Sequence, residues 1–274
     1  MTDRRPIGLF DSGVGGLTVL DAVARRLPSE NLLYLGDTAR LPYGTKSPET
    51  VRRYARRAVE YLLGHDVKAL VIACNTASAL ALDLIEEISP VPVLGVVAPG
   101  AAAAVAVARG LEAKGEAPAP IAVLATEATV ASDAYGRAVR ALDPHREVLH
   151  TACPLFVPLA EEGWIDNEVA RAAAARYLGP VRASGVRVVV LGCTHYPLLR
   201  GTIAGALAPG TRLVDSAEAA AAAVDAALVP ETRRGAGTAG ETHLLVTDAS
   251  ERLARIAVRF LGREAVRLER IDLP

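Results

Sequence analysis

Leu70-Val-Ile-Ala-Cys-Asn-Thr76 and Val189-Val-Leu-Gly-Cys-Thr-His195 share one pattern: a short apolar run, a cysteine, then residues able to donate hydrogen bonds. Upstream of each lies a second matched pair. Ile7-Gly-Leu-Phe-Asp-Ser12 opens the first half and Ile121-Ala-Val-Leu-Ala-Thr126 the second, and the cysteine follows the opening isoleucine by 67 and 72 residues. Equal order with nearly equal spacing marks an internal duplication.

The rest of the chain fits two copies of an α/β unit. Short β-branched runs alternate with amphipathic stretches, which indicates parallel sheets covered by helices. Strands are expected at Ile7–Phe10, Asn31–Leu35, Lys68–Ala73, Val91–Val96, Ile121–Ala125, Arg146–His150, Val186–Gly192, Arg212–Val214 and His243–Val246. The clearest helix runs from Pro48 to about Leu63, with Val51, Tyr54, Ala55, Ala58 and Leu62 on one face. Ser47 as N-cap and Pro48 at the first helical position mark its start. The Ala-rich run after Ala217 reads as a helix, and Gly110 to Pro120 as an exposed loop.

The expected fold is therefore α/β: two similar three-layer domains with mainly parallel sheets, related by a pseudo-twofold axis, with the active site in the cleft between them. Residues 1–98 plus 212–274 would form the first domain, carrying Asp11 and Cys74. Residues 99–211 would form the second, carrying Glu161, Cys193 and His195. Open α/β sheets bind ligands at the carboxyl ends of their strands, where matched loops would here meet face to face.

Composition narrows the function classes. Half the chain (51%) is apolar, enough to bury a core in 274 residues. Lys and Arg number 30 against 31 Asp and Glu, so no basic excess awaits nucleic-acid phosphates. The arginines between Arg52 and Arg57 read as the wet face of a helix. MTDRRPIGLFDSG has no apolar segment resembling a signal peptide, and runs such as Val186 to Leu191 are too short for a bilayer. Three widely spaced cysteines, Cys74, Cys153 and Cys193, argue against a disulfide framework and for a reducing cytoplasm.

Cys74 and Cys193 each follow a buried strand and precede a helix start, where free amides and the helix dipole favour thiolate. A lone free cysteine is usually a small buried hydrophobe. Two at equivalent points of a duplicated unit call for a function. Neither has the neighbouring ligands a zinc site needs, and redox pairs usually lie close in sequence. The remaining chemistry is proton transfer, one sulfur removing a proton from a carbon while the other delivers one to the opposite face. Asp11 stands in the turn Asp11-Ser-Gly-Val-Gly-Gly16, either as a helix cap or beside the first thiol; His195 stands beside the second. The third glycine of a dinucleotide fingerprint would fall at Thr18, so these glycines read as room for a small anion. The pair Glu161-Glu162 reads equally as a solvated helix end or as part of the site.

Six motifs taken together resemble the glutamate racemases of the PLP-independent aspartate/glutamate racemase superfamily, over nearly the full length. They are Phe10-Asp-Ser-Gly-Val-Gly-Gly-Leu-Thr18, Gly36-Asp-Thr-Ala-Arg-Leu-Pro-Tyr-Gly44, Ala73-Cys-Asn-Thr-Ala-Ser78, Thr126-Glu-Ala-Thr-Val130, Cys153-Pro-Leu-Phe-Val-Pro-Leu-Ala-Glu-Glu-Gly163 and Gly192-Cys-Thr-His-Tyr-Pro197. The resemblance implies that Cys74 and Cys193 are the catalytic thiols, assisted by Asp11 and His195, with Glu161 orienting His195. It implies substrate contacts from Ser12, Pro42, Tyr43, Gly44, Asn75, Thr76, Thr126, Thr129 and Thr194, and no reaction at Cys153. Ala125 and Ala160 depart from the usual residues without touching the chemistry.

Relatives resembling aspartate racemases carry an acidic residue where this chain has His195, so the resemblance favours glutamate as substrate. It further implies no metal or cofactor, a homodimer without nucleic-acid or membrane partners, a cytoplasmic location, and supply of D-glutamate for peptidoglycan. The three lysines, Lys46, Lys68 and Lys114, sit in no motif suited to a PLP Schiff base. The alternatives are an aspartate or other amino-acid racemase, a two-domain binding protein without turnover, and a thiol redox protein.

Overall fold

The apolar runs form strands because they are rich in β-branched residues and leucine and are buried on both faces, as parallel sheets require. The structure is a computed structural model that describes residues 3–228, 239–262 and 268–273. The first unit runs β1 (Ile7–Asp11), α1 (Leu17–Arg26), β2 (Leu32–Gly36), α2 (Pro48–Leu63), β3 (Ala69–Ile72), α3 (Asn75–Leu80), α4 (Leu82–Ile88) and β4 (Val93–Gly95). The chain continues through α5 (Val97–Glu112), β5 (Ile121–Ala125), α6 (Glu127–Ala131), α7 (Ala134–Leu142), β6 (Val148–Ala152), α8 (Phe156–Glu162), α9 (Glu168–Ala183), β7 (Val188–Gly192), α10 (Arg200–Ala206) and β8 (Arg212–Asp215). It ends with α11 (Ser216–Ala227), β9 (Thr242–Val246), α12 (Glu251–Leu261) and β10 (Glu269–Arg270).

Two sheets result, with every recorded pairing parallel. One has the order β10-β9-β2-β1-β3-β4 and the other β6-β5-β7-β8. The series β2-β1-β3-β4 is thus repeated as β6-β5-β7-β8. The register repeats too: Ile7 pairs with Ala69 and Ile121 with Val188, and each cysteine lies five residues beyond that partner. The expected duplication is therefore a duplication of topology, with helices on both faces of each sheet.

Sequence features that set local structure behave as expected in α2. Ser47 Oγ accepts the Thr50 amide at 3.4 Å, Pro48 opens the helix, and Val51, Ala55, Ala58 and Leu62 are buried. Three expectations shift. The chain was expected to return to the first domain at residue 212, but β8 hydrogen-bonds to β7 and belongs to the second sheet. The return begins at α11, which packs on α1 with Arg25–Glu218 and Arg26–Asp225 ion pairs. β6 starts two residues later than expected, because Arg146 turns aside to bind Glu112 and Asp143 at 2.6 and 2.8 Å. The loop expected from Gly110 is helical through Glu112. β10 was not expected at all; two polar residues give no pattern.

One apolar core runs through both units, joining Leu9 and Val71 of the first sheet to Leu124 and Leu191 of the second, with Ala220 and Phe260 between. At the opposite end from the cysteines, Lys68 Nζ and Glu30 Oε2 meet at 2.5 Å with both side chains almost fully buried. Removing one partner of such a pair takes from the other charge its close counter-ion in low dielectric. Lys68→Met is expected to lower the unfolding free energy by about 3 kcal/mol in urea titrations, and Glu30→Leu in the same chain to recover much of it. A single variant as stable as wild type would contradict a buried ion pair there.

Candidate active site

Asp11 ends β1 and Cys74 follows β3, so both stand at the carboxyl edge of the first sheet where the strand order reverses. Cys74 caps α3: the Ala77 amide donates to its Sγ at 3.4 Å, and the thiol lies 3.5 Å from Ser12 Oγ. Burial and the nearby Asp11 charge push the thiol up to about 12. The helix-start amides, expected to favour thiolate, are outweighed, because the negative neighbour and loss of water act in the opposite sense.

Asp11 is itself buried, and burial raises its carboxyl while the His195 charge and the amides of Gly16, Gly13 and Ser12 act against that rise. Its Oδ2 accepts the Gly13 amide at 2.9 Å, and its Oδ1 has no hydrogen-bond partner among the described residues.

The second thiol has the opposite surroundings. Cys193 follows β7 with its Sγ 3.9 Å from His195 Nδ1, and His195 Nε2 lies 3.2 Å from Glu161 Oε1. Burial pulls the histidine down, but Cys193 and Glu161 together outweigh it and raise the group to about 10. Both partners thus favour the imidazolium form of His195. Glu161, not Glu162, makes this contact; Glu162 turns outward to Arg252 at 2.6 Å.

Contacts across the seam bring the two halves together. Thr76 Oγ1 meets Thr126 Oγ1 at 3.0 Å and Thr129 Oγ1 at 3.1 Å, and the latter two meet at 3.0 Å. Thr18 Oγ1 lies 3.2 Å from the Thr194 carbonyl. The glycine turn serves this approach more than an anion: a Cβ on Gly15 would lie 2.4 Å from Thr194 Oγ1 and 2.5 Å from the His195 ring. A Cβ on Gly44 would meet that of Thr126 at 2.6 Å.

Between these contacts lies one narrow cavity lined by Cys74 and Cys193 together. Ser12, Pro42, Tyr43, Gly44, Asn75, Thr76, Thr126, Thr194 and His195 complete it, with Val157. Thr129 sits behind Thr76, and Asp11 and Glu161 sit behind the groups they face. The Leu41–Pro42 peptide is cis, and Tyr43 donates its hydroxyl to Asp37 Oδ2 at 2.7 Å. Cys153 is buried outside the cavity, its Sγ 3.6 Å from the Thr151 carbonyl. Among the described residues no His, Cys, Asp and Glu cluster could hold a metal.

Sequence reasoning missed Val157 and the residues that α12 contributes. Phe260 packs edge-on to His195 with ring centres 5.1 Å apart, and Arg259 Nη1 donates to the Glu161 carbonyl. α12 is amphipathic, but nothing local in its sequence names His195 as its neighbour.

Repeated parallel units with a cysteine from each lining a shared cavity define an α/β enzyme of the amino-acid racemase class. The chain belongs to the Asp/Glu/Hydantoin racemase family, whose sequence model matches residues 12–224. It is 48% identical to the glutamate racemase of Geobacter metallireducens over 94% of this chain and 93% of that one. Its fold is similar to the crystal structures of glutamate racemase RacE1 from Bacillus anthracis (TM-score 0.91, 34% identity, 99% of each chain) and of glutamate racemase from Francisella tularensis with D-glutamate (TM-score 0.90, 34% identity, 99% and 98%).

The raised histidine has a measurable consequence. A group whose folded value lies above its ordinary 6.5 adds stability that is complete below pH 6.5 and is lost as pH rises through about 10. The difference in unfolding free energy between wild type and His195→Asn should therefore shrink across that window. A difference independent of pH would rule out the charged His195.

Proposed function

We propose that this chain is a glutamate racemase that exchanges the α-proton between two thiols without a cofactor. One observation carries the reading: a single cavity is lined by Cys74 and Cys193, which occupy the same register position in the two sheets. Glutamate racemases of similar sequence, one of them crystallised with D-glutamate, support the choice of substrate.

In one direction a sulfur acting as thiolate takes the α-proton of glutamate, and the opposite thiol gives its proton to the other face. The centre inverts, and the two sulfurs end with their protonation exchanged. Asp11 is the partner for proton movement at Cys74, through its unbonded Oδ1. His195 is the partner at Cys193, held through Nε2 by Glu161. Asn75, Thr76 and Thr194 donate to the carboxylates, with Ser12, Thr126, Thr129 and the Pro42-Tyr43-Gly44 turn shaping the site around them. Negative charge growing at the α-carbon is stabilised by those fixed donors and by the retained ammonium group.

Closure of the two units over the substrate excludes water, and we place their boundaries after residue 98 and after Asp215. The reading extends to a cytoplasmic homodimer that supplies D-glutamate for peptidoglycan. No helix among the described residues is long and apolar enough to cross a membrane.

Circular dichroism of L-glutamate with purified protein and no added cofactor tests the activity, with incorporation of solvent deuterium at the α-carbon. Cys74→Ala and Cys193→Ala should each lose racemisation by about 10³-fold or more. Each should still eliminate HCl from a chlorinated analogue of one handedness, since one base suffices there. Asp11→Asn and His195→Asn should slow the two directions unequally. Two alanine variants racemising at near wild-type rate would end the two-thiol reading, and a wild type that binds glutamate without exchanging its proton would make the chain a binding protein.

A further inference from the structure

Tyr135 belongs to the second unit, yet its hydroxyl donates to Asn75 Oδ1 of the first at 2.7 Å. The tyrosine is buried to 1% exposure and sits in a made-to-measure slot. A Cβ on Gly100 would lie 3.2 Å from the phenol oxygen, and one on Gly192 3.1 Å from the ring. Asn75 is equally buried and lines the cavity, and its Nδ2 has no hydrogen-bond partner among the described residues.

We infer that Tyr135 is a positioning residue that fixes the polarity of the Asn75 amide, so that Nδ2 and not Oδ1 faces the substrate carboxylate. An asparagine amide presents either end to a site with little change in shape, and only its bonding partners decide which. Turned one way, Asn75 offers a donor to an anion; turned the other, it offers a carbonyl that repels one. A carboxylate in the cavity draws Nδ2 inward, and Oδ1 then needs a donor on the far side. Burial pushes the phenol of Tyr135 up, so it keeps its proton and supplies that donor. Ser216 is its other hydroxyl neighbour and already gives its own proton to the Leu191 carbonyl at 3.1 Å.

Because Tyr135 and Asn75 come from different units, the amide is held only while the units are together. A substrate-binding donor of the first half is thus set by a phenol of the second. This rests on the proposed binding of glutamate at Asn75.

Tyr135→Phe removes one oxygen and keeps the ring. Glutamate KM should rise about tenfold, the effect of one lost buried hydrogen bond. KM should change more than kcat, and the melting temperature should stay within a few degrees. In an Asn75→Ala background the same change should have no further effect on KM. Gly100→Ala crowds the phenol oxygen without removing it and should give a smaller rise of the same kind, which covers the case of a phenylalanine variant that fails to fold. A KM unchanged in Tyr135→Phe, or an effect that adds fully to Asn75→Ala, would overturn the inference while leaving the racemase reading intact. A wild type without glutamate turnover would remove both.

Discussion

The closeness of the two units at their seam is the constraint on which the rest of the molecule depends. Two sulfurs on separate sheets line one cavity only if backbone from one unit reaches side chains of the other, and that demands positions without a Cβ. Gly15 against Thr194 and His195, and Gly44 against Thr126, are those positions. The threonine cluster Thr76, Thr126 and Thr129 and the Thr18–Thr194 contact then satisfy the polar groups the approach buries. Apolar surface does the remaining work, since a single core cluster runs from Leu9 through Leu191.

On this repeated backbone the electrostatics are opposed. Asp11, at the end of β1, places an anion beside Cys74, and the thiol there is raised to about 12. The matching residue at the end of β5 is Ala125, which has no charge, and the titratable neighbour of Cys193 is instead His195, two residues beyond that cysteine. One thiol therefore has a base for a neighbour and the other an acid. In the proposed reaction, where the sulfurs exchange roles, such a division would let each side restore its own proton through a different group. The imidazolium also lowers the cost of keeping Asp11 charged across the cavity.

The strands were legible because parallel, doubly buried strands leave continuous β-branched runs, and all nine expected ones are present among the ten described. The repeat was legible because both copies keep a cysteine at the same register. Boundaries failed where a long-range contact overrode the local pattern: Arg146 is drawn off β6 by Glu112, and β8 joins β7 although it reads as the start of a C-terminal extension. The cavity residues lie on strand ends and tight turns, so their motifs were readable one by one. Groups that act from behind were not, since Tyr135, Phe260 and Arg259 reach the site from helices whose sequences record only an apolar face.

That difference has a structural reason in the path of the chain. After β8 the polypeptide leaves the second sheet, packs α11 on α1, and adds β9 to the edge of the first sheet beside β2. From that edge α12 extends over α8 of the second unit, where Phe260 covers His195 and Arg252 and Arg259 hold the Glu161-Glu162 turn. The second half of the duplication thus lacks the added strands of the first, and the first half's extension closes it. A simple tandem of two units would leave the His195–Glu161 pair open to water, and screening would weaken it. By crossing back, the C-terminal segment keeps that pair in low dielectric and fastens the two units to each other.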